Sequence, residues 1–284
     1  MRLITPRTLT ATYTHPSKDP WTAVQLYQTA LTYPDDWGAQ RVATAINSDT
    51  EVPFEGVTRG ELRAWVDGDG QPDAARALEV AREHGWLTDG WTPTTRALAV
   101  LVICGYVCGS LRTETYVPTW SPTDPRTEAT ITDALTEVGC DATHISRAST
   151  TQADEYRPTR QASVLGRALA VAGMPVGDKN ATTVTGLPEW VTAAPDDLKA
   201  TVARCTVLER GITYPEKATR RIQTDREPQY FADLATLLRE VTGEAVTASP
   251  AGVTISAAAV DALGVERPTD ESAESLDDTA ETAK

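Results

Sequence analysis

From Ala97 to Leu111 the chain runs fifteen residues without a charge, bracketed by Arg96 and Arg112. A helix needs ~20 apolar residues to cross a bilayer, and Gly105, Gly109 and Ser110 interrupt this run. It therefore predicts a strongly apolar helix over residues 94–109, buried in a protein core. Met1-Arg2-Leu3-Ile4-Thr5-Pro6 offers no apolar signal segment. These features predict a soluble cytoplasmic protein with no membrane partner. The 284 residues suffice for one large or two modest domains, which excludes collagenous, coiled-coil and wholly disordered classes.

Upstream of that run the periodicity is helical. Pro20 opens a helix that Pro34 stops, and Ala39, Val42, Ala43 and Ile46 fill one face of a second. Thr58 caps a third, with Glu61 at the capping-box spacing and Leu62, Trp65 and Val66 facing a core. A fourth runs from Pro72 to Gly85. These helices predict an all-α, helix-turn-helix-like domain over residues 1–90, although the link from Asn47 to Val57 is long for that motif. Arg59 and Arg63 lie one turn apart beside the apolar stripe, placed to reach base edges or phosphates or simply solvated. Asp67-Gly68-Asp69-Gly70 lacks the later ligands of a calcium loop.

Downstream the pattern alternates. The apolar helix precedes a strand-like stretch at residues 113–120, a helix at 126–138, strands near 142–147 and 155–160, and a helix at 163–172. A second pass has helices at 195–210, 230–241 and 257–263, with strands at 220–224, 245–248 and 252–256. This predicts an α+β domain over residues 92–264 with an internal pseudo-repeat, its halves at 92–175 and 195–264. Residues 266–284 hold seven acids and no aromatic, and are expected to be a disordered tail.

Acids outnumber bases 40 to 26, and only five of the bases are lysine. Such a surface suits strong brine, where the Debye length falls to ~3 Å at 1 M salt; the composition is that of a halophilic protein. A net charge of -14 ordinarily argues against a nucleic-acid partner, but less so when a whole proteome is acidic. Residues 96–226 carry 15 bases and 15 acids, a neutral middle that fits either an anionic partner or a partner-free core. Cys104 and Cys108 share one helix face, while Cys140 and Cys205 stand alone, so neither a disulfide framework nor a zinc site is predicted. His15, His84 and His144 have no companion at ligand or triad spacing.

Leu101 to Leu111, and again Val202 to Gly211, resemble the two signature helices of LAGLIDADG homing endonucleases. The intervening Val164 to Lys179, followed by Leu187-Pro188-Glu189-Trp190-Val191, is similar to the turn and "lPeWi" segment that lead into the family's second signature helix. The resemblance, of haloarchaeal type, covers residues 92–263 and implies a pseudo-twofold αββαββα repeat whose strands lie in the DNA major groove. It also implies a carboxylate before the last glycine of each signature helix, holding divalent metals. Here those positions are Cys108 and Arg210, neither an oxygen ligand for magnesium. Glu209 and Glu114 are the fallback carboxylates, and magnesium is expected only if nuclease activity persists; otherwise no cofactor is expected. Gly105 and Gly109 are expected to let the two signature helices approach closely. Candidate DNA contacts are Arg112, Arg147, Arg157, Arg160, Arg220 and Arg221 on or beside strands, with Lys179 and Lys217 in loops. The pairing of parts is analogous to the WhiA regulators, with the order reversed. The expected function is non-catalytic binding of double-stranded DNA by a monomer, of regulatory type. The alternatives are a residual metal-dependent endonuclease and a protein-interaction module.

Overall fold

Local capping sets the first helices. The computed structural model describes residues 2–146, 154–214 and 216–265, so Arg147 and the acidic tail 266–284 lie outside the described residues. Helices α1 (Pro6–Thr10), α2 (Pro20–Ala30), α3 (Ala39–Ser48), α4 (Arg59–Val66) and α5 (Asp73–Glu83) come first. The Thr58 capping box forms: the Glu61 amide donates to Thr58 Oγ1 at 3.3 Å and the Thr58 amide donates to Glu61 Oε2 at 2.9 Å. The long link between α3 and α4 is held by Asn47, whose Nδ2 donates to Val57 O at 2.7 Å while Val57 N donates back to its Oδ1 at 2.9 Å. Leu26, Val42, Ile46, Phe54 and Leu62 make a small separate core under α2–α4, whereas Leu9, Leu78 and Trp86 join the main core. The N-terminal helices are thus bonded through α1 and α5 to the remainder.

The rest consists of two halves with one element order. The first half is α6 (Pro93–Val107), β1 (Gly109–Leu111), β2 (Pro118–Trp120), α7 (Pro125–Glu137), β3 (Ala142–Ile145), β4 (Glu155–Pro158) and α8 (Ala162–Val171). The second is α9 (Asp196–Arg210), β5 (Gly211–Tyr214), β6 (Lys217–Ile222), α10 (Pro228–Thr242), β7 (Val246–Ser249), β8 (Gly252–Ile255) and α11 (Ala257–Leu263). The sheets are antiparallel, ordered β1-β2-β4-β3 and β5-β6-β8-β7, so the architecture is α+β with the same strand order twice. Helix α6 packs along α9, and every residue from Ala97 to Val107 is buried. No described helix is long and apolar enough to cross a membrane.

Several elements differ from expectation. The stretch 113–120 is a turn followed by the three-residue β2, because Tyr116 takes a left-handed φ of 53° and its amide closes on Arg112 O at 2.9 Å. Helix α6 stops at Val107, making Cys108 its cap residue and Gly109 the first residue of a strand. Gly109 and Gly105 do not serve the α6–α9 contact: a Cβ at Gly109 would lie 2.7 Å from Trp120 Cδ1, and one at Gly105 would lie 2.6 Å from Met174 Cε. They admit Trp120 and Met174. Helix α1 and strand β5 carried no sequence signal, since α1 is five residues long and Ile212, Thr213 and Tyr214 are all exposed.

Candidate nucleic-acid interface

Cross-strand register decides which candidates reach the outer faces of the sheets. In the first sheet Gly109 pairs with Trp120 and Leu111 with Pro118 on the core side, which places Ser110 opposite Thr119 on the other face; their hydroxyl oxygens are 2.8 Å apart, Ser110 is exposed and Thr119 is buried. The pairs Trp120–Tyr156 and Thr143–Arg157 carry that outer row on to Arg157 and Thr143. In the second sheet the matching row is Ile212, Arg221, Thr254 and Thr247. Each row holds one arginine among small or apolar side chains, in the alternation that an antiparallel strand imposes.

The same register removes Arg220 from the interface. It pairs with Ile255 on the core side, is 8 % exposed, and donates to Val265 O. Arg204 Nε donates to Leu263 O at 3.1 Å and Arg126 Nη1 to Gly264 O at 3.3 Å. Three guanidinium groups therefore meet the carbonyl end of α11, where the helix dipole favours cations. Lys179 is likewise spent inside: its Nζ donates to Gly105 O at 2.8 Å, to Tyr106 O at 3.4 Å and to Gly109 O, closing the end of α6.

The remaining candidates are distributed less evenly. Arg112, on the chain just past β1, and Lys217, beside the Tyr214 ring, are exposed. Arg157 is bound to Glu155 at 2.6 Å and Arg160 to Asp141 at 2.7 Å, surface pairs worth little to stability. Arg221 is partly buried, and its Nε finds no hydrogen-bond partner among the described residues. Arg59 and Arg63 are exposed on α4. The two halves of the sheet face and the α4 arginines are separate surfaces, and the contacts of α4 run to α2 and α3.

At the junction where α6 and α9 end, the groups are cationic. Cys104 is held protonated by its hydrogen bond with Cys205 and by burial, and burial, then Glu209, raises the Cys108 thiol. Glu209 is engaged elsewhere: its carboxylate accepts from Thr123 N at 3.0 Å, Thr123 Oγ1 at 3.1 Å and Asp124 N at 3.2 Å, at the start of α7. Glu114 is exposed in the β1–β2 turn. A pair of divalent metals needs several oxygen ligands at one point, and the residues here do not fit it. Among the described residues no three His, Cys, Asp or Glu side chains come together as a metal-ligand group.

Arg226, which the sequence did not single out, completes this cluster. Its Nη1 donates to Lys179 O and, at 2.8 Å, to Asp225 O. Burial first, then Arg210 and Arg226, bring Lys179 down to about 8. Set against models of protein families and against curated proteins, the chain matches no family and no relative.

Two outcomes follow from these contacts. Glu209→Gln is expected to cost about 1–2 kcal/mol in a denaturant melt, because it weakens the charge-assisted hydrogen bonds from the Thr123 and Asp124 amides that lead into α7. Magnesium should not alter that loss; a cost seen only with magnesium would make Glu209 a metal ligand. For Lys179, a folded value below the ordinary 10.5 means the unfolded chain holds the extra proton between about pH 8 and 10.5. Stability contributed through this group therefore rises with pH across that window, by about 3 kcal/mol in full. The difference between wild-type and Lys179→Met melting profiles should show that rise, and parallel profiles would contradict it.

Proposed function

We propose that the chain is a non-catalytic DNA-binding protein of regulatory type, working as a monomer whose two halves present their outer sheet faces to the duplex. The observation that carries this reading lies at the ends of α6 and α9: Cys108 and Arg210 precede Gly109 and Gly211, where the resemblance would put metal-binding carboxylates, and Glu209 is engaged by the amides of Thr123 and Asp124. Loss of the metal site leaves the sheet faces intact, so binding can outlast cleavage. The Arg157 and Arg221 rows supply one guanidinium per half for base edges, and Ile212, at 42 % exposure, supplies an apolar contact of the kind a thymine methyl takes. Arg59 and Arg63 on α4 provide a second set of phosphate contacts. An acidic, lysine-poor chain suits concentrated salt, where counterion release is weak and shape and base contacts carry more of the affinity.

Ile212 and Tyr214, both exposed at 40 % or more, also favour a protein partner on the same face. Selection from a randomised duplex pool in concentrated KCl separates the two. DNA binding predicts an enriched motif after successive rounds; a pool that stays random, with protein recovered unbound, would move the outer face to a protein partner.

A further inference from the structure

We propose that the cleft where α5 and the loop after α1 meet the first turn of α8 binds a small phosphate, the free ion or a simple monoester, with Arg167 as its anchoring guanidinium. None of the residues assigned to duplex contact lines this cleft, so the site stands or falls apart from DNA binding.

The cavity measures about 230 Å³ and is lined by Tyr13, Asp73, Arg76, Ser163, Val164 and Arg167. That is far above the ~10–15 Å³ that admits one water and below the ~300 Å³ at which sites for drug-sized molecules begin. It therefore suits an ion or a small molecule. It lies where the N-terminal helices pack on the repeat, since α1 and α5 both touch α8.

The lining is polar and incompletely bonded. Arg167 is held between two rings, its guanidinium carbon 4.1 Å from the centroids of both Tyr13 and Tyr116. Its Nη1 donates to Thr12 O, whereas its buried Nε finds no partner, and among the described residues no carboxylate pairs with it. Arg76 differs: it pairs with Asp73 at 2.5 Å, through side chains more than half exposed. Two guanidinium groups against one carboxylate leave an uncompensated positive charge on Arg167. The hydroxyls of Tyr13 and Ser163 have no hydrogen-bond partner among the described residues, and burial pushes the Tyr13 hydroxyl up to about 12, so it stays protonated and able to donate.

The start of α8 adds to this. Ser163 and Val164 stand in the first turn of a ten-residue helix whose N-cap, Gln161, takes a left-handed φ of 54° and supplies no side-chain cap. The first amides of a helix have no intrahelical partner and carry the positive end of its dipole, an arrangement that favours phosphate. Ser163 and Arg167 are four residues apart and share one face. A hydroxyl, a guanidinium and an uncapped helix start thus surround one cavity, and the guanidinium offers paired donors to phosphate oxygens. With Tyr13 on the opposite wall, a bound anion also fastens the loop after α1 to the repeat.

Equilibrium dialysis of the full chain against radiolabelled inorganic phosphate in concentrated KCl measures the site directly. Wild type should bind one phosphate per chain. So should Arg82→Gln, an exposed α5 position outside the cleft that controls for net charge. Arg167→Lys keeps the charge but loses the paired donors, and should bind at least about tenfold more weakly. Ser163→Asp fills the cleft with a carboxylate of its own, at a helix position that favours acids; it should bind no phosphate and melt no lower than wild type. Should Arg167→Lys fail to fold, Ser163→Asp decides. Competition by unlabelled glycerol 3-phosphate separates the sources: displacement of the label assigns the site to monoesters as well, and retention assigns it to the free ion. No phosphate on wild type, or equal binding by wild type and Ser163→Asp, would overturn the site, and either result leaves the duplex-binding outcome untouched.

Discussion

Gly166→Ala is expected to destabilise the protein by more than about 3 kcal/mol, beyond the usual cost of an added methyl in a packed core. The position is buried on α8, and a Cβ there would lie 1.7 Å from the carbonyl oxygen of Tyr116 and 2.8 Å from its carbon. Those are backbone atoms in the β1–β2 turn, which is pinned by the Tyr116 amide on Arg112 O at 2.9 Å and by Gly177 N on Leu111 O at 2.8 Å. The Tyr116 ring is held too, since the Arg167 guanidinium stacks on it and on Tyr13 at 4.1 Å from each centroid. Neither α8 nor the turn can retreat without breaking these contacts. The sign is diagnostic, because alanine is better than glycine in a helix by about 1 kcal/mol. A guanidinium melt of the variant should shift to lower denaturant with its slope retained; an unchanged or raised midpoint would show that α8 does not touch the turn.

Trp86→Ala should cost about 3–5 kcal/mol, the range for removing a fully buried large aromatic. Trp86 is 0 % exposed and its Nε1 donates to Val138 O at 3.0 Å, at the end of α7. Its ring stacks on His84 at 5.5 Å between centroids, and His84 in turn covers Gly139, where a Cβ would lie 2.3 Å from His84 Nδ1. One side chain thus fastens the segment after α5 to the first half of the repeat. Trp86→Phe keeps most of the bulk and loses the hydrogen bond, so it should recover all but about 1–2 kcal/mol. If both variants melt as wild type does, the N-terminal helices are held by other contacts than this one.

Features that depend on neighbours in sequence were legible before the structure. Thr58 and Glu61 are three residues apart, so their reciprocal bonds follow from local geometry. The charge-free run around Leu101 has to be buried wherever it lies. The alternation of helices and strand pairs likewise gave the order of elements in both halves, apart from the three-residue β1, too short to show a period of two, and β5, whose Ile212, Thr213 and Tyr214 are all exposed and do not alternate. Features set by distant chain segments were hidden. Lys179 and Arg220 read as surface bases, and only the positions of the α6 and α11 carbonyl ends turn them inward. Gly105 and Gly109 look like helix-contact glycines, yet Met174 and Trp120 occupy the space they leave. Arg226 carried no signal at all, because its role arises from Lys179, a residue forty-seven positions away.

The same distinction bears on the candidate site. That Cys108 and Arg210, neither a carboxylate, precede Gly109 and Gly211 was visible in the sequence. That Glu209 is withdrawn to the start of α7 was not, although it is the contact that argues most directly against a relocated metal site.

Binding of the full chain to pooled genomic duplex fragments in concentrated potassium, with and without magnesium, followed by sequencing of bound and cut fractions, tests the DNA-binding reading most directly. A discrete set of fragments should be enriched uncut, and equally in both conditions. Cut ends that appear only with magnesium, or no enrichment in either condition, would contradict it.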